Sequence, residues 1–187
     1  ALSYEAIVPA DGVGDHPAYG ILTNAKEALA TIGIDLQIND PTDSNVIWQA
    51  IESNPISAEF WCAAWQATTD PDMYQVYHKN STATSVLAWG YREILASPST
   101  YRTENEILTD LSDVIDDARE ITDRTARTAL YREAMGYVLD LAVELPVYQR
   151  MNLYAYNPNV INSESLPTEV NPYVSPLYRI WEVELVA

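Results

Sequence analysis

Six consecutive apolar residues, Phe60-Trp61-Cys62-Ala63-Ala64-Trp65, stand between polar stretches and limit the fold more tightly than anything else in the chain. A half-buried strand alternates apolar and polar positions. An unbroken run of this length instead predicts a strand covered on both faces, as inside a parallel sheet flanked by helices. The sequence then turns polar at once, through Gln66-Ala67-Thr68-Thr69-Asp70-Pro71-Asp72. A polar loop leaving the carboxyl end of a buried parallel strand is where α/β proteins place ligands.

The flanking patterns agree with such a sheet. Tyr4 to Val8 reads as a strand, followed by the turn cluster Asp11-Gly12-Val13-Gly14-Asp15. From about Pro17, Ile21, Ala25, Ala28 and Ile32 share one helical face. Asp15 or His16 is placed to cap that helix, and Gly33 to follow its end. Ile34-Asp35-Leu36-Gln37-Ile38 alternates strictly, as a half-buried strand does. Pro41-Thr42-Asp43 opens a second helix, with Val46, Ile47, Ala50 and Ile51 inward and Asn54-Pro55 at its end.

Residues 73–102 predict short helices and loops. Two long helices follow. The first carries the stripe Ile107, Leu108, Leu111, Val114, Ile115, Ala118. The second starts near Asp123 as N-cap, with Ala126, Leu130, Ala134, Tyr137, Val138 and Leu141 on one face. Leu145-Pro146 ends it. Alternation from Val147 to Tyr156 predicts a long strand, 157–176 an extended Pro-rich excursion, and Tyr178 to Val186 a final strand. The expected fold class is α/β: a three-layer α/β/α lobe with a mixed, largely parallel sheet. Residues 1–187 form a single lobe in this reading, with 157–187 as excursion and final strand.

Charge and composition exclude several functions. Asp plus Glu number 27 against 10 Lys plus Arg, a net charge of −17. A surface this acidic repels phosphate backbones and anionic membranes, so nucleic acid is not an expected partner. One cysteine allows neither an internal disulfide nor a cysteine-based zinc site. Cys62, inside the apolar run, is expected to be an inert core thiol. No apolar run is long enough to span a bilayer. Ala1-Leu2-Ser3-Tyr4 has neither the basic nor the apolar region of a signal peptide, which fits a cytoplasmic protein or a piece of a longer one.

Catalytic signatures are absent: there is no GxSxG, Walker A, GxGxxG or HExxH. His16 and His78 lie far apart in sequence, and acid pairs such as Asp116-Asp117 or Asp70/Asp72 are expected by chance among 27 acids. The expected protein is not an enzyme and needs no cofactor or metal. What remains is a surface for binding. Trp65, closing the apolar run beside the uncharged Gln66, Thr68 and Thr69, is expected to touch ligand, whereas Trp61 and Trp89 are expected in the core or on the sheet surface. A hydrolase using His78 with an Asp or Glu is the alternative, and it requires His78 beside a carboxylate in a closed pocket.

Four stretches in order resemble one known family: Ile32-Gly33-Ile34-Asp35-Leu36 after its helix; the strand from Glu59 ending in Trp65 and running to Asp70-Pro71; Asp123-Arg124-Thr125-Ala126-Arg127-Thr128-Ala129-Leu130-Tyr131-Arg132-Glu133-Ala134; and Leu145-Pro146-Val147-Tyr148. Together they cover roughly residues 20 to 160 and resemble the C-terminal lobe of extracytoplasmic solute-binding proteins of oligopeptide and dipeptide ABC transporters. The resemblance implies a type II periplasmic-binding-protein-like lobe. It implies a missing N-terminal lobe, permease subunits as partners, and a periplasmic or lipoprotein location. A ligand-sensing domain of the same fold is a close variant. The ligand-binding residues it implies are Trp65, Gln66, Ala67, Thr68, Thr69 and Asp70, with a peptide or related polar solute as ligand. Peptide-binding members often carry Asp where this chain has Thr68, and some carry Arg where it has Cys62. A neutral Thr cannot alone balance a peptide's ammonium group, for which Asp70 is the nearby substitute.

Overall fold

A computed structural model describes residues 2–64, 70–149, 153–171 and 174–186. The chain forms two compact units: Ala1–Gln66 with Asp72–Glu144, and Ala67–Pro71 with Leu145–Ala187.

The first unit begins as the patterns dictate, with β1 (Leu2–Ile7), α1 (Pro17–Ala30), β2 (Ile34–Asn39), α2 (Asn45–Glu52) and β3 (Phe60–Trp61). The three strands make one parallel sheet in the order β2-β1-β3. Leu2 pairs with Ile34 through to Ile7 with Asn39, while Ala6 and Ile7 pair with Phe60 and Trp61. Successive side chains alternate faces. On one face Val8, Ile38 and Cys62 pack with Ala18, Tyr19 and Leu22 of α1. On the other, Ile7 and Trp61 pack with Ile47 and Ala50 of α2. The remainder of that second face is polar. Asn39 Nδ2 donates to Glu5 Oε1 (3.1 Å), and Gln37 Nε2 donates to Asp35 Oδ2 (2.7 Å).

Caps and turns follow local chemistry. His16 caps α1, its Nδ1 accepting the Ala18 N–H at 3.1 Å. Gly33 adopts φ +81°, which suits a residue without Cβ beyond a helix end. The turn after β1 wraps a side chain: the Asp40 carboxylate accepts the backbone N–H groups of Ala10, Gly12 and Gly14 at 3.0, 3.0 and 2.9 Å.

The apolar run departs from expectation. Among its described residues, Phe60 to Ala64, only Phe60 and Trp61 are strand, Phe60 is 51% exposed, and Ala63 and Ala64 are exposed. The cause is position: among the described residues β3 lies at the edge of the sheet, paired with β1 alone. Phe60 meets the ring of Tyr4 edge-on at 5.6 Å. Cys62 is half-buried rather than fully enclosed, and its burial still pushes the thiol pKa up.

The larger core of this unit is helical. It combines α3 (Tyr74–Tyr77), α4 (Thr84–Ala88), α5 (Tyr91–Ala96), α6 (Arg102–Glu120) and α7 (Arg124–Leu141). Leu108, Leu111, Ile115 and Ala118 of the predicted α6 stripe are wholly buried, and Ala134 and Val138 of α7 are buried with them. Asp123 caps α7, its Oδ1 accepting the Ala126 N–H at 2.8 Å. Ala126 itself is exposed, so the buried stripe starts later than the sequence pattern suggests. Trp61 packs against both this helical core and the sheet cluster around Ile7.

In the second unit the predicted strands are not formed among the described residues. Leu145–Gln149 and Leu153–Tyr156 are irregular and exposed, and Tyr178–Val186 contains a 3-10 turn at Ile180–Glu182. One antiparallel bridge, Ile161 to Leu185, joins the excursion to the final segment. Pro158, Pro167 and Pro176 carry no N–H to build a ladder further. None of the unit's described residues is buried, so alternation finds no second layer to pack against.

Candidate ligand-binding groove

Beyond the carboxyl end of β3 lies an open groove of about 420 Å³. Its walls are Trp61, Ala63 and Ala64 from β3 and its continuation, Trp48 from α2, Gln75 from α3, and Thr82, Ala83 and Thr84 at the start of α4. An adjoining hollow of about 380 Å³ shares Gln75, Thr82 and Ala83 and adds Tyr74, Asn80 and Ser81. The described lining residues of both hollows include no Asp, Glu, Lys, Arg or His: the set is indole, phenol, amide, hydroxyl and methyl.

Each wall is fixed by its own structure. Trp61 stacks on Trp89 at 5.7 Å, and Trp89 stacks on Tyr77 at 6.3 Å. The Trp89 indole N–H donates to Val76 O at 3.0 Å, which ties the stack to α3. Thr84 Oγ1 donates to Glu52 Oε1 at 3.2 Å, and Arg92 Nη2 donates to Ser53 O at 2.9 Å, so α4 and α5 are held to the end of α2. The α3–α4 loop is wired internally. His78 Nδ1 accepts the Asn80 N–H (3.0 Å), Ser81 Oγ donates to Gln75 O (2.8 Å), and Ser81 Oγ accepts the Ala83 N–H (3.2 Å). A loop held this way presents Thr82 and Thr84 without a large ordering cost on binding.

His78 anchors the loop from beneath. It is 2% exposed, stacks on Tyr74 at 4.2 Å, and places Nε2 3.3 Å from Asp116 Oδ2 of α6. Arg119, one turn on from Asp116, lies over the Tyr74 ring at 4.4 Å and pairs with Asp72 at 3.2 Å. The Lys79 N–H donates to Ser112 Oγ at 3.1 Å. The histidine–carboxylate pair of the hydrolase alternative is therefore present, but His78 lines neither hollow and its Nδ1 is occupied by backbone. Behind the stack, Tyr77 OH donates to Glu144, and Tyr91 OH is buried without a partner among the described residues. Burial, and then Glu144, push the hydroxyl pKa values of both tyrosines well above the ordinary range.

Of the residues expected to bind ligand, Trp65, Gln66, Ala67, Thr68 and Thr69 lie outside the described residues. Asp70 is exposed and belongs to the second unit. Trp89 is core, as expected. Trp61, expected in the core or on the sheet surface, is half-buried and lines the groove. Sequence reasoning missed Trp48, Gln75, Thr82 and Thr84. Trp48 carried a signal: a large aromatic beside, rather than on, the buried stripe Ile47, Ala50, Ile51 of α2, and it is 47% exposed.

Among the described residues, no cluster of three or more His, Cys, Asp or Glu is placed to hold a metal ion, and no helix is long and apolar enough to cross a membrane. No family model, curated protein or solved structure matches the chain.

Proposed function

We propose that this chain is a non-catalytic solute-binding lobe that grips a peptide or a related polar solute. It would do so at the carboxyl end of β3, for delivery to membrane permeases outside the cytoplasm. The observation that carries the reading is the groove itself. It lies where a parallel strand ends, and it combines two indoles with uncharged hydrogen-bonding groups on a rigid frame. The type II periplasmic-binding-protein-like fold, with a second lobe closing over the groove, is part of the same proposal. The parallel order β2-β1-β3 with α1 and α2 on opposite faces supports it. So do the four motifs that resemble oligopeptide-binding proteins.

The groove is open, so half of a clamp would bury only part of a ligand. Titration of the 187-residue chain with a mixture of peptides and other polar solutes is expected to show weak binding that Trp48→Ala diminishes. Tight binding, or binding indifferent to Trp48, contradicts the proposal. The His78 hydrolase reading predicts turnover of ester or peptide substrates that His78→Ala abolishes. The binding reading predicts none.

A further inference from the structure

We infer that the solute favoured by the β3 groove is an uncharged saccharide rather than a peptide; the inference rests on reading that groove as a solute site. Charged residues make up 20% of the chain, and its net charge is −17. Yet the described residues lining the larger hollow are two Trp, three Ala, two Thr and one Gln. An anion meets the field of an acidic protein with no cation among the described lining residues to receive it. An ammonium or guanidinium group meets no carboxylate among them, and desolvating a charge without a partner is unfavourable. A zwitterionic peptide carries both difficulties.

A sugar ring carries neither. Its faces present aliphatic C–H groups suited to flat aromatic surfaces, which Trp48 and Trp61 supply. Its hydroxyls both donate and accept, which matches the Gln75 amide and the hydroxyls of Thr82 and Thr84. The Thr84 proton is already given to Glu52, so Thr84 faces a ligand as an acceptor. Glu52 itself is not among the described lining residues. The two adjoining hollows share a wall at Gln75, Thr82 and Ala83 and extend the surface beyond one ring, so a short oligosaccharide fits better than a monosaccharide.

The test is nuclear magnetic resonance of the full 187-residue chain with ¹⁵N-labelled indoles, which detects millimolar affinities. Cellotetraose, xylotetraose and maltotetraose form one panel, and trialanine and triglycine the other. Saturable shifts of the Trp48 and Trp61 signals with at least one tetrasaccharide, and not with the tripeptides, are expected. Trp48→Ala should weaken that response about tenfold. Response to the tripeptides, alone or as strongly as to the sugars, overturns the saccharide inference and leaves the groove a solute site. Silence of both indoles toward both panels overturns the inference and the solute-site reading together. A sugar response unchanged in Trp48→Ala overturns the stacking argument.

Discussion

Trp61 and Trp89 lie with ring centroids 5.7 Å apart and planes 30° from parallel, so the floor of the groove and the helical core are one aromatic stack. Trp89 is 9% exposed and belongs to the core, while Trp61 is half-buried and reaches the groove. The site is thus built directly on the packing that holds β3 to the helices. Groove shape and stability are coupled through one residue.

That coupling separates the two groove tryptophans. Trp61→Ala removes the stack and opens a cavity between two clusters, and should cost about 3 kcal/mol. Trp48 is 47% exposed, and Trp48→Ala should stay within about 1 kcal/mol of the parent. Denaturant unfolding of the two variants measures the difference. Equal losses would mean that Trp48 is also a packing residue.

The turn after β1 depends on Asp40. Its carboxylate receives three backbone N–H groups, and Asp40→Ala leaves all three without that acceptor, a loss of about 2–3 kcal/mol. Gly12 in the same turn has φ +72°, and a Cβ there would meet Thr42 Cγ2 at 2.5 Å. Gly12→Ala should therefore destabilise by at least about 1 kcal/mol, whereas Gly20→Ala, with open space around it in α1, should stabilise slightly. Thermal unfolding of the three variants checks the ranking.

His78 is a structural residue in this account. His78→Ala removes the acceptor for the Asn80 N–H and the stack on Tyr74, with an expected cost of about 2–4 kcal/mol. It should also loosen the loop carrying Thr82, seen as faster amide hydrogen exchange at Asn80 to Thr84. A variant that kept its stability and exchange rates would show that His78 does not hold this loop.

Tyr77 and Tyr91 give the fold an alkaline limit. Their folded pKa values are raised, chiefly by burial and then by Glu144, so the folded state keeps protons that the unfolded chain releases above about pH 10. Their contribution is complete below that pH and declines as pH rises beyond it, by at most about 1.4 kcal/mol per pH unit for each tyrosine. Tyr91→Phe should flatten the decline between pH 10 and 11. It should cost little at pH 8, because the Tyr91 hydroxyl has no partner among the described residues. Urea unfolding across that range reads the slope, and an unchanged slope in Tyr91→Phe would exclude Tyr91 as its source.

The first half of the fold was legible because its signals are local. The alternation Ile34 to Ile38, the periodicity of α1 and the Asp123 cap each specify an element without outside help. The strand run 60–65 misled because apolar composition does not reveal an edge position: Phe60 is exposed although hydrophobic. The segment Val147 to Tyr156 misled for a related reason. Alternation makes a strand only where a neighbouring strand and an apolar layer receive it, and the second unit has no buried residue among those described. At the site, the sheet logic pointed to the loop from Trp65 to Asp70, of which 65–69 lie outside the described residues. It did not point to Thr82 and Thr84, because their approach to Trp61 depends on how α3 and α4 pack, a relationship spread over tertiary contacts.

The most direct measurement is a crystal structure of the chain soaked with cellotetraose. The account predicts sugar density between Trp48 and Trp61, within hydrogen-bonding distance of Gln75, Thr82 or Thr84. Density bound elsewhere with this groove left empty would contradict it.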